Sequence, residues 1–318
     1  MAAEIKTRVF IISDTHGEAL LHKPKGSYDV AIHCGDMTEE SKLGEFKTAL
    51  QLLMEIDAPL KLVIAGNHDI SMDTPTLQRM LSDHTTKEDL GLVRKTYGDF
   101  GEARAMFDSE ESRAAGIVFL DEGTHRFTLD NGAALSVFAS PYTTSSDASW
   151  AFQYLPADDH SWAIEDKTDI VITHSPPHGV LDYIDRKRTG SASLFAAVAR
   201  ARPRLHCFGH IHSAWGGRVV AWRETLSETP SHFTDIDNER SHTVESLATL
   251  GPKKFDSAET LAEKEAKLGV YDGQGCVEAR EVLGEDQTLF VNAAIEGPED
   301  GVQQHPWVTE IDLPRAGA

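Results

Sequence analysis

The fold is decided first by Val9-Phe-Ile-Ile-Ser-Asp-Thr-His-Gly17, where a short apolar run leads directly into an aspartate and a histidine. The same arrangement returns twice: Asp29-Val-Ala-Ile-His33 runs into Cys34-Gly-Asp36, and Leu60-Lys-Leu-Val-Ile-Ala65 runs into Gly66-Asn-His-Asp69. Between the last two runs, residues 43–56 carry apolar side chains at helical spacing. This alternation predicts a β-α-β order and a mostly parallel, layered sheet.

Further strands are predicted downstream, and a second sheet would accommodate them. Short apolar runs occur at residues 117–120, 127–138, 169–173, 205–208 and 288–295. The second of these runs contains an Asp130-Asn-Gly132 turn, which is typical of a β-hairpin. We therefore predict an α/β fold in which two sheets pack together.

The chain of 318 residues is predicted to form a single domain, 1–318, with one insertion. A single α/β domain commonly reaches about 200 to 250 residues. Residues 224–285 are polar and acidic and interrupt the strand pattern, with one helix predicted at 257–268. Long connections divide between functional lids and passive surface segments, and the sequence favours neither.

Composition narrows the class of protein. Lys and Arg total 30 against 51 for Asp and Glu, and the formal net charge of −21 disfavours a nucleic-acid partner. The sequence runs directly into the first strand without an apolar signal peptide or membrane span, so we expect a cytoplasmic protein with no membrane partner. Cys34, Cys207 and Cys276 are odd in number and far apart, and we expect all three to be reduced and structural.

Two later predicted strands also end in possible metal ligands, at His174 and at His210-Ile-His212. In open α/β sheets, residues at the carboxyl ends of different strands meet at one edge. That edge would gather two carboxylates, an amide oxygen and several imidazoles, a mixture that suits Mn²⁺, Fe²⁺ or Zn²⁺ better than Ca²⁺. Each motif alone is typical of an ordinary turn. The five strand ends together indicate a metal site.

The order and spacing of these motifs resemble those of the calcineurin-like metallophosphoesterases. The family pattern Asp-x-His, Gly-Asp, Gly-Asn-His-Asp/Glu, His and Gly-His-x-His is complete from Asp14 to His212. The phrases Ile-Ser-Asp-Thr-His-Gly, Ala-Gly-Asn-His-Asp and Phe-Gly-His-Ile-His are similar to the metallophosphoesterase-domain-containing branch, to which phosphodiesterase activity on cyclic nucleotides is attributed. The resemblance implies a four-layer fold, in which helices flank two mixed sheets.

The resemblance also implies roles for individual residues. One divalent cation would be held by Asp14, His16, Asp36 and His212, and a second by Asp36, Asn67, His174 and His210. His68 would be the catalytic histidine that protonates the leaving oxygen or stabilises the transition state, and Asp69 would orient the His68 ring by accepting a hydrogen bond. The implied reaction is hydrolysis of a small phosphodiester or nucleotide by water activated between the cations, with Mn²⁺ favoured in vitro.

Other functions are compatible with the same ligands. A phosphomonoesterase, a specialised-pathway metalloenzyme or a metal-binding scaffold with little turnover would use the same site. A protein serine/threonine phosphatase is disfavoured, because Asp36 leads into Met37-Thr-Glu-Glu40 instead of an Asp-Arg-Gly turn, and Asp69 replaces a Glu. A nuclease would benefit from a basic groove, and Arg186-Lys-Arg188 is the one compact basic stretch.

Substrate choice depends on loops, where the sequence is less informative. The candidates for lining a substrate pocket are Tyr142, His178, Asp182 and Trp215. Packing or a solvated loop is the commoner role for residues of these types. The sequence predicts neither the oligomeric state nor the identity of the phosphoester.

Overall fold

The computed structural model describes residues 4–23, 25–84, 87–146, 149–297 and 301–317. Its strands are, in chain order, β1 (Ile5–Ile12), β2 (Val30–His33), β3 (Leu60–Val63), β4 (Ile117–Phe119), β5 (Gly123–Thr128), β6 (Ala134–Ser140), β7 (Thr143–Thr144), β8 (Gln153–Tyr154), β9 (Ile170–Thr173), β10 (Tyr183–Ile184), β11 (Lys187–Arg188), β12 (Leu205–Phe208), β13 (Gly216–Trp222), β14 (Ile236–Ser246), β15 (Val277–Ala279), β16 (Gln287–Asn292) and β17 (Trp307–Leu313). Its helices are α1 (Leu43–Glu55), α2 (Thr74–His84), α3 (Lys87–Tyr97), α4 (Glu102–Phe107), α5 (Glu110–Ala114), α6 (Ala192–Ala201), α7 (Leu247–Leu250) and α8 (Ala258–Gln274).

Two mixed sheets form the centre of the fold. The six-stranded sheet has the order β15-β17-β1-β2-β3-β4, and the seven-stranded sheet has the order β14-β13-β16-β12-β9-β6-β5. Strands β1 to β4 run parallel in the first sheet, and β6, β9, β12 and β16 run parallel in the second. The carboxyl ends of the parallel strands therefore lie along one edge of each sheet.

Side chains of β1 alternate between two cores, because successive residues of a strand point to opposite faces. Val9 and Ile11 belong to the core between the two sheets. Phe10 belongs to a second core, which α1 closes with residues such as Phe46. A third core lies on the outer face of the seven-stranded sheet, where α6 contributes Phe195. The predicted arrangement of two mixed sheets flanked by helices is confirmed.

The elements predicted between the first strands also form. The helix predicted at 43–56 is α1, and its first turn is capped by Glu45, whose Oε2 accepts the backbone N–H of Lys42 at 2.9 Å. The predicted hairpin is the antiparallel pair β5–β6. Helix α1 holds its buried face against the outer side of β1 to β3, and this contact fixes the loops that follow these strands.

The predicted insertion at 224–285 is built into both sheets. Strand β14 pairs with β13 at one edge of the seven-stranded sheet, and β15 pairs with β17 at one edge of the six-stranded sheet. Helices α7 and α8 connect these two strands, and α8 extends the helix predicted at 257–268. The segment is thus part of the fold, and its role as a lid stays a prediction.

Burial agrees with the expected state of the thiols. The three cysteines, all of them among the described residues, are free and buried. Across the described part of the chain, the helices are too short or too polar to cross a lipid bilayer.

Candidate metal centre

The carboxyl ends of five strands from both sheets meet at one edge of the fold. They are β1, β2 and β3 of the six-stranded sheet and β9 and β12 of the seven-stranded sheet. The loops after these strands carry all seven predicted ligands, which are Asp14, His16, Asp36, Asn67, His174, His210 and His212. The structure brings them into two adjoining groups.

The first group, called here the deep group, consists of Asp36, Asn67, His174 and His210. The Nε2 atom of His174 lies 3.1 Å from Asp36 Oδ2 and 3.1 Å from Asn67 Oδ1. A ring nitrogen of His210 lies within 4.8 Å of the Asp36 and His174 donor atoms. His174 Nδ1 donates to the Cys34 carbonyl oxygen at 2.9 Å, which turns Nε2 toward the group. His174 is fully buried and Asp36 is 2% exposed.

The second group, called here the open group, consists of Asp14, His16 and His212. His212 Nε2 lies 3.2 Å from Asp14 Oδ1 and 3.4 Å from His16 Nε2. Two glutamates flank these residues: Glu39 Oε2 lies 2.7 Å from His16 Nδ1, and Glu296 Oε2 lies 3.0 Å from His16 Nε2. The two glutamate side chains are 55% and 45% exposed, so the open group faces solvent.

The backbone is shaped around the ligand carboxylates. Four predicted ligands have a positive φ, which costs a residue other than glycine about 1 to 3 kcal/mol; they are Asp14 (53°), His16 (47°), Asp36 (52°) and His210 (69°). A Cβ atom at Gly209 would overlap Asp14 Oδ2, and one at Gly66 would overlap Asp36 Oδ1. Strain that the surrounding structure imposes is characteristic of functional sites.

Each group contains a carboxylate whose charge is balanced by a histidine. Burial opposes the ionisation of Asp36, but His174 outweighs it and lowers the pKa of Asp36 to about 2. Burial also opposes charge on His174, yet Asp36 raises the pKa of His174 to about 9. In the open group, Asp14 overcomes the effect of burial and raises the pKa of His212 to about 8. In the absence of a cation, His174 and His212 therefore each carry a second ring proton, and the resulting positive charge balances the buried carboxylate.

Each sheet contributes one buried histidine that contacts a threonine next to the predicted ligands. His33 Nε2 lies 3.0 Å from the hydroxyl of Thr15, which stands between two open-group ligands. His206 Nε2 lies 2.9 Å from the hydroxyl of Thr173, which precedes a deep-group ligand. Burial lowers the pKa of His33 to about 4 and that of His206 to about 3, so both rings are neutral at pH 7.

His68 lies beside both groups. Its backbone N–H donates to Asp36 Oδ1 at 2.8 Å, and its Nδ1 donates to the Glu39 carbonyl oxygen at 2.8 Å. Its ring packs on Trp150 with the centroids 4.4 Å apart, and meets the His16 ring edge-on at 4.8 Å. With Nδ1 bound to a carbonyl oxygen, Nε2 is the nitrogen available to a substrate.

Asp69 has a different position from the one expected. Its carboxylate is fully buried and accepts the backbone N–H groups of Gly66, Met37 and Thr38 together with the Thr38 hydroxyl. Burial, together with the nearby charge of Asp36, raises the pKa of Asp69 to about 6. The expected hydrogen bond from the His68 ring to Asp69 is wrong, because loop amides surround the carboxylate and the ring bonds to Glu39 instead. Asp69 fixes the loop that carries the deep-group residues.

The residues named as possible pocket lining have other partners. Their contacts are Asp182 with Arg188 (2.8 Å), Trp215 with Trp307 (ring centroids 5.1 Å apart), Tyr142 with His160 (centroids 4.5 Å apart) and His178 with the Gly190 carbonyl oxygen (3.2 Å). Both Asp182 and Trp215 are buried; packing explains Trp215, and the ion pair with Arg188 explains Asp182.

A cavity of about 320 Å³ adjoins the open group. Glu39, Glu296 and Gln303 line it together with Asp14 and His16. A larger cavity of about 570 Å³ lies against β1, β15 and β17 and includes none of the predicted ligands among its lining residues. We take the cavity of about 320 Å³ as the candidate functional cavity, because two of the predicted metal ligands, Asp14 and His16, line it. Sequence reasoning missed Glu39, Glu296 and Trp150, since nothing in their local pattern distinguishes them from surface residues.

Two sheets with a mixed carboxylate, amide and imidazole centre at their shared edge define a class of protein. The chain matches the family described as calcineurin-like phosphoesterase over residues 7–214. This range includes every predicted ligand and His68. The chain therefore belongs to the calcineurin-like phosphoesterase family.

The individual relatives that the chain resembles share about a third or less of their aligned residues with it. The chain is 31% identical to human metallophosphoesterase domain-containing protein 1 over 66% of this chain and 62% of that protein. It is 32% identical to a probable rhamnogalacturonate lyase C of Emericella nidulans over 68% of this chain and 18% of that protein. UPF0046 protein K07C11.7 of Caenorhabditis elegans is 28% identical, with 66% of this chain and 64% of that protein covered. The chain thus matches less than two thirds of the length of each of these relatives.

Proposed function

We propose that this chain is a metal-dependent phosphodiesterase with a binuclear centre, acting on a small phosphodiester or nucleotide. The observation that carries the proposal is the pair of adjoining ligand groups, each with a buried carboxylate and imidazoles. Membership of the phosphoesterase family supports hydrolysis of a phosphoester. The chain matches less than two thirds of the length of these relatives, so its substrate and partners are part of the proposal.

The residues present fit two divalent cations. Each group offers at least three donor atoms of the kinds that bind Mn²⁺, Fe²⁺ or Zn²⁺. Asp36 has one carboxylate oxygen in the deep group, and we propose that the carboxylate bridges to the open group. The absence of a side chain at Gly66 and Gly209 keeps space for the ligand carboxylates. Bound cations would supply Lewis acidity, which activates a water and neutralises phosphoryl oxygens.

His68 is proposed as the general acid. Its Nδ1 is engaged with the Glu39 carbonyl oxygen, so a second proton would reside on Nε2. A proton in that position can pass to the departing alkoxide oxygen, leaving His68 as the neutral imidazole. Trp150 packs on the ring and restricts its orientation. His68→Ala should therefore lower kcat by about 10² to 10⁴ while metal content stays close to that of the unmodified protein.

The charge around the open group favours a diester over a monoester. Glu39 and Glu296 place two carboxylates at the mouth of the cavity. Two unit charges 4 Å apart in water repel by about 1 kcal/mol, so each additional negative charge on a substrate is disfavoured there. A phosphodiester carries one negative charge, whereas a phosphomonoester at neutral pH carries nearly two. The glutamates thus oppose the monoester more strongly.

The experiment measures hydrolysis of bis-p-nitrophenyl phosphate, p-nitrophenyl phosphate and a cyclic nucleotide, with metal content determined on the same sample. The protein is first treated with a chelator, and Mn²⁺ is then added back. We expect activity to be lost and recovered, with the diester cleaved faster than the monoester. Faster cleavage of the monoester would favour the phosphomonoesterase alternative, and two bound metals without turnover would favour a scaffold or a specialised substrate.

A further inference from the structure

A second cluster of metal-binding side chains lies outside the proposed catalytic centre. It consists of His22, Asp272 and His305, whose donor atoms all lie within 4.8 Å of one another. His22 belongs to the loop after β1, Asp272 to the last turn of α8, and His305 to the loop before β17. Three segments far apart in the chain therefore bring an imidazole, a carboxylate and a second imidazole to one point.

We propose that His22, Asp272 and His305 form a third metal site that binds a Zn²⁺-type cation and ties helix α8 to the loop after β1 and the loop before β17. The site is independent of the proposed phosphodiesterase activity, because none of its residues belongs to the deep or open group. Zinc binds histidine nitrogens and carboxylate oxygens, and two histidines with one carboxylate can hold it when a water takes the fourth position.

The distances agree with this assignment. Zinc bonds to nitrogen and oxygen are about 2.0 to 2.1 Å long, so neighbouring donors in a tetrahedron are about 3.3 Å apart. Asp272 Oδ1 lies 2.9 Å from His305 Nε2 and 3.6 Å from His22 Nδ1, on either side of that value. The two rings are tilted by 31° with their centroids 3.9 Å apart. Each directs one nitrogen toward Asp272 Oδ1.

The end of helix α8 favours positive charge at this point. Aligned peptide dipoles leave a partial negative charge at the carboxyl end of a helix, and α8 is 17 residues long. Its last turn, which lies wholly among the described residues, contains Asp272 and no basic residue. The Asp272 side chain is 59% exposed, so a cation can reach it from solvent, while His305 is held in place at 7% exposure.

The site would also stabilise the edge that carries Glu296. Gln303, two residues before His305, accepts the Leu21 N–H at 2.8 Å and donates to the Ala19 carbonyl oxygen at 3.0 Å. Gln303 also forms a β-bridge with Glu296. A metal that joins His22 to His305 would lock the loop after β1 to the 301–306 loop. The position of Glu296 beside the open group depends on both loops.

The test counts Zn²⁺ bound per chain after dialysis, and compares the unmodified protein with His22→Ala and Asp272→Asn. The control is His242→Ala, which removes another histidine paired with a carboxylate, at 3.1 Å from Glu281. We expect His22→Ala to lose one Zn²⁺ per chain relative to the unmodified protein. Asp272→Asn, which preserves side-chain shape, should weaken binding at the same site, and His242→Ala should bind as much Zn²⁺ as the unmodified protein.

Repeating the count on an Asp36→Ala background separates this site from the catalytic centre. The loss of one Zn²⁺ on His22→Ala should persist there, even if the binuclear proposal fails and the total is smaller. Added Zn²⁺ should raise the Tm of the unmodified protein and of His242→Ala by more than that of His22→Ala. Equal Zn²⁺ content in the unmodified protein and His22→Ala, or an equal loss in His242→Ala, would overturn the proposal.

Discussion

The deep group is largely buried at the shared edge of the two sheets, whereas the open group adjoins a cavity that two partly exposed glutamates help to line. Both combine a buried carboxylate with histidines, so their chemistry is alike. Their supports differ: the deep group is held by buried loop contacts such as that of His174 with the Cys34 carbonyl oxygen. In the open group, His16 meets the partly exposed side chains of Glu39 and Glu296.

The difference indicates a division of tasks within one centre. Buried donors with fixed partners lose little entropy when they bind a cation, and we expect the deep group to hold its metal more tightly. We expect the open group to exchange its metal with solvent and to contact the substrate. Glu296 lies beyond residue 214, where the family match ends, whereas Glu39 lies within it.

The largest effect is expected from Asp36→Ala, which removes the residue proposed to serve both groups. The variant should lose metal from both and should show no measurable metal-dependent turnover, because the backbone N–H of His68 also loses its acceptor. Metal analysis and the diester assay check this on the same sample. Retention of two metals by Asp36→Ala would contradict the bridging role.

The next effect separates the groups with a matched pair of variants. His210→Ala removes a deep-group ligand, and His212→Ala removes an open-group ligand two residues away. Each should lose about one metal per chain, and the metal that remains in His212→Ala should resist a chelator for longer. Metal content followed during chelation measures this. Equal rates of metal loss in the two variants would contradict the expected difference in affinity between the deep and the open group.

A pH effect of intermediate size follows from the histidines. Without metal, the pKa of His174 is raised to about 9 and that of His212 to about 8, so both rings are positively charged imidazolium ions at pH 7. A cation must displace these protons, and metal affinity should fall as the pH is lowered below about 9 in the deep group and about 8 in the open group. Calorimetry in buffers with different ionisation enthalpies should detect proton release on metal binding at pH 7. Metal affinity that does not change with pH would contradict this charge balance.

The smallest effect is expected at the mouth of the cavity. Glu296→Gln removes one negative charge and keeps the shape of the side chain. It should increase kcat/KM for the monoester relative to the diester by about fivefold, the equivalent of about 1 kcal/mol. Glu281→Gln is a control, since its carboxylate pairs with His242 on another part of the surface. The same change in both variants would mean that overall charge, and not the position of Glu296, sets the preference.

The fold and the meeting of the candidate ligands at one edge were predictable because they follow local rules. Apolar runs such as Val9–Ile12 end in polar residues, and the carboxyl ends of parallel strands meet in space. Strands β14 and β15 were not predicted, because most of the β14 side chains are exposed or half-buried and show no apolar alternation. Edge strands pair through backbone groups, which leave little trace in the sequence.

The surroundings of the site depend on contacts between distant segments. Asp69 lies next to His68 in sequence, yet its carboxylate bonds to Gly66, Met37 and Thr38, and only the folded loop shows which donors reach it. Glu296 reaches the open group because the chain after β16 pairs with the loop after β1, through a bridge between Ser13 and Ala294. No spacing rule predicts such a contact.

Electron paramagnetic resonance of Mn²⁺-loaded protein tests whether Asp36 joins two cations in one centre, as we propose. The His22→Ala variant is used, so that the proposed third site does not contribute. We predict the spectrum of an exchange-coupled manganese pair when two equivalents are bound, and loss of that spectrum in the Asp36→Ala, His22→Ala double variant. A spectrum of isolated Mn²⁺ ions at full loading would contradict a shared centre.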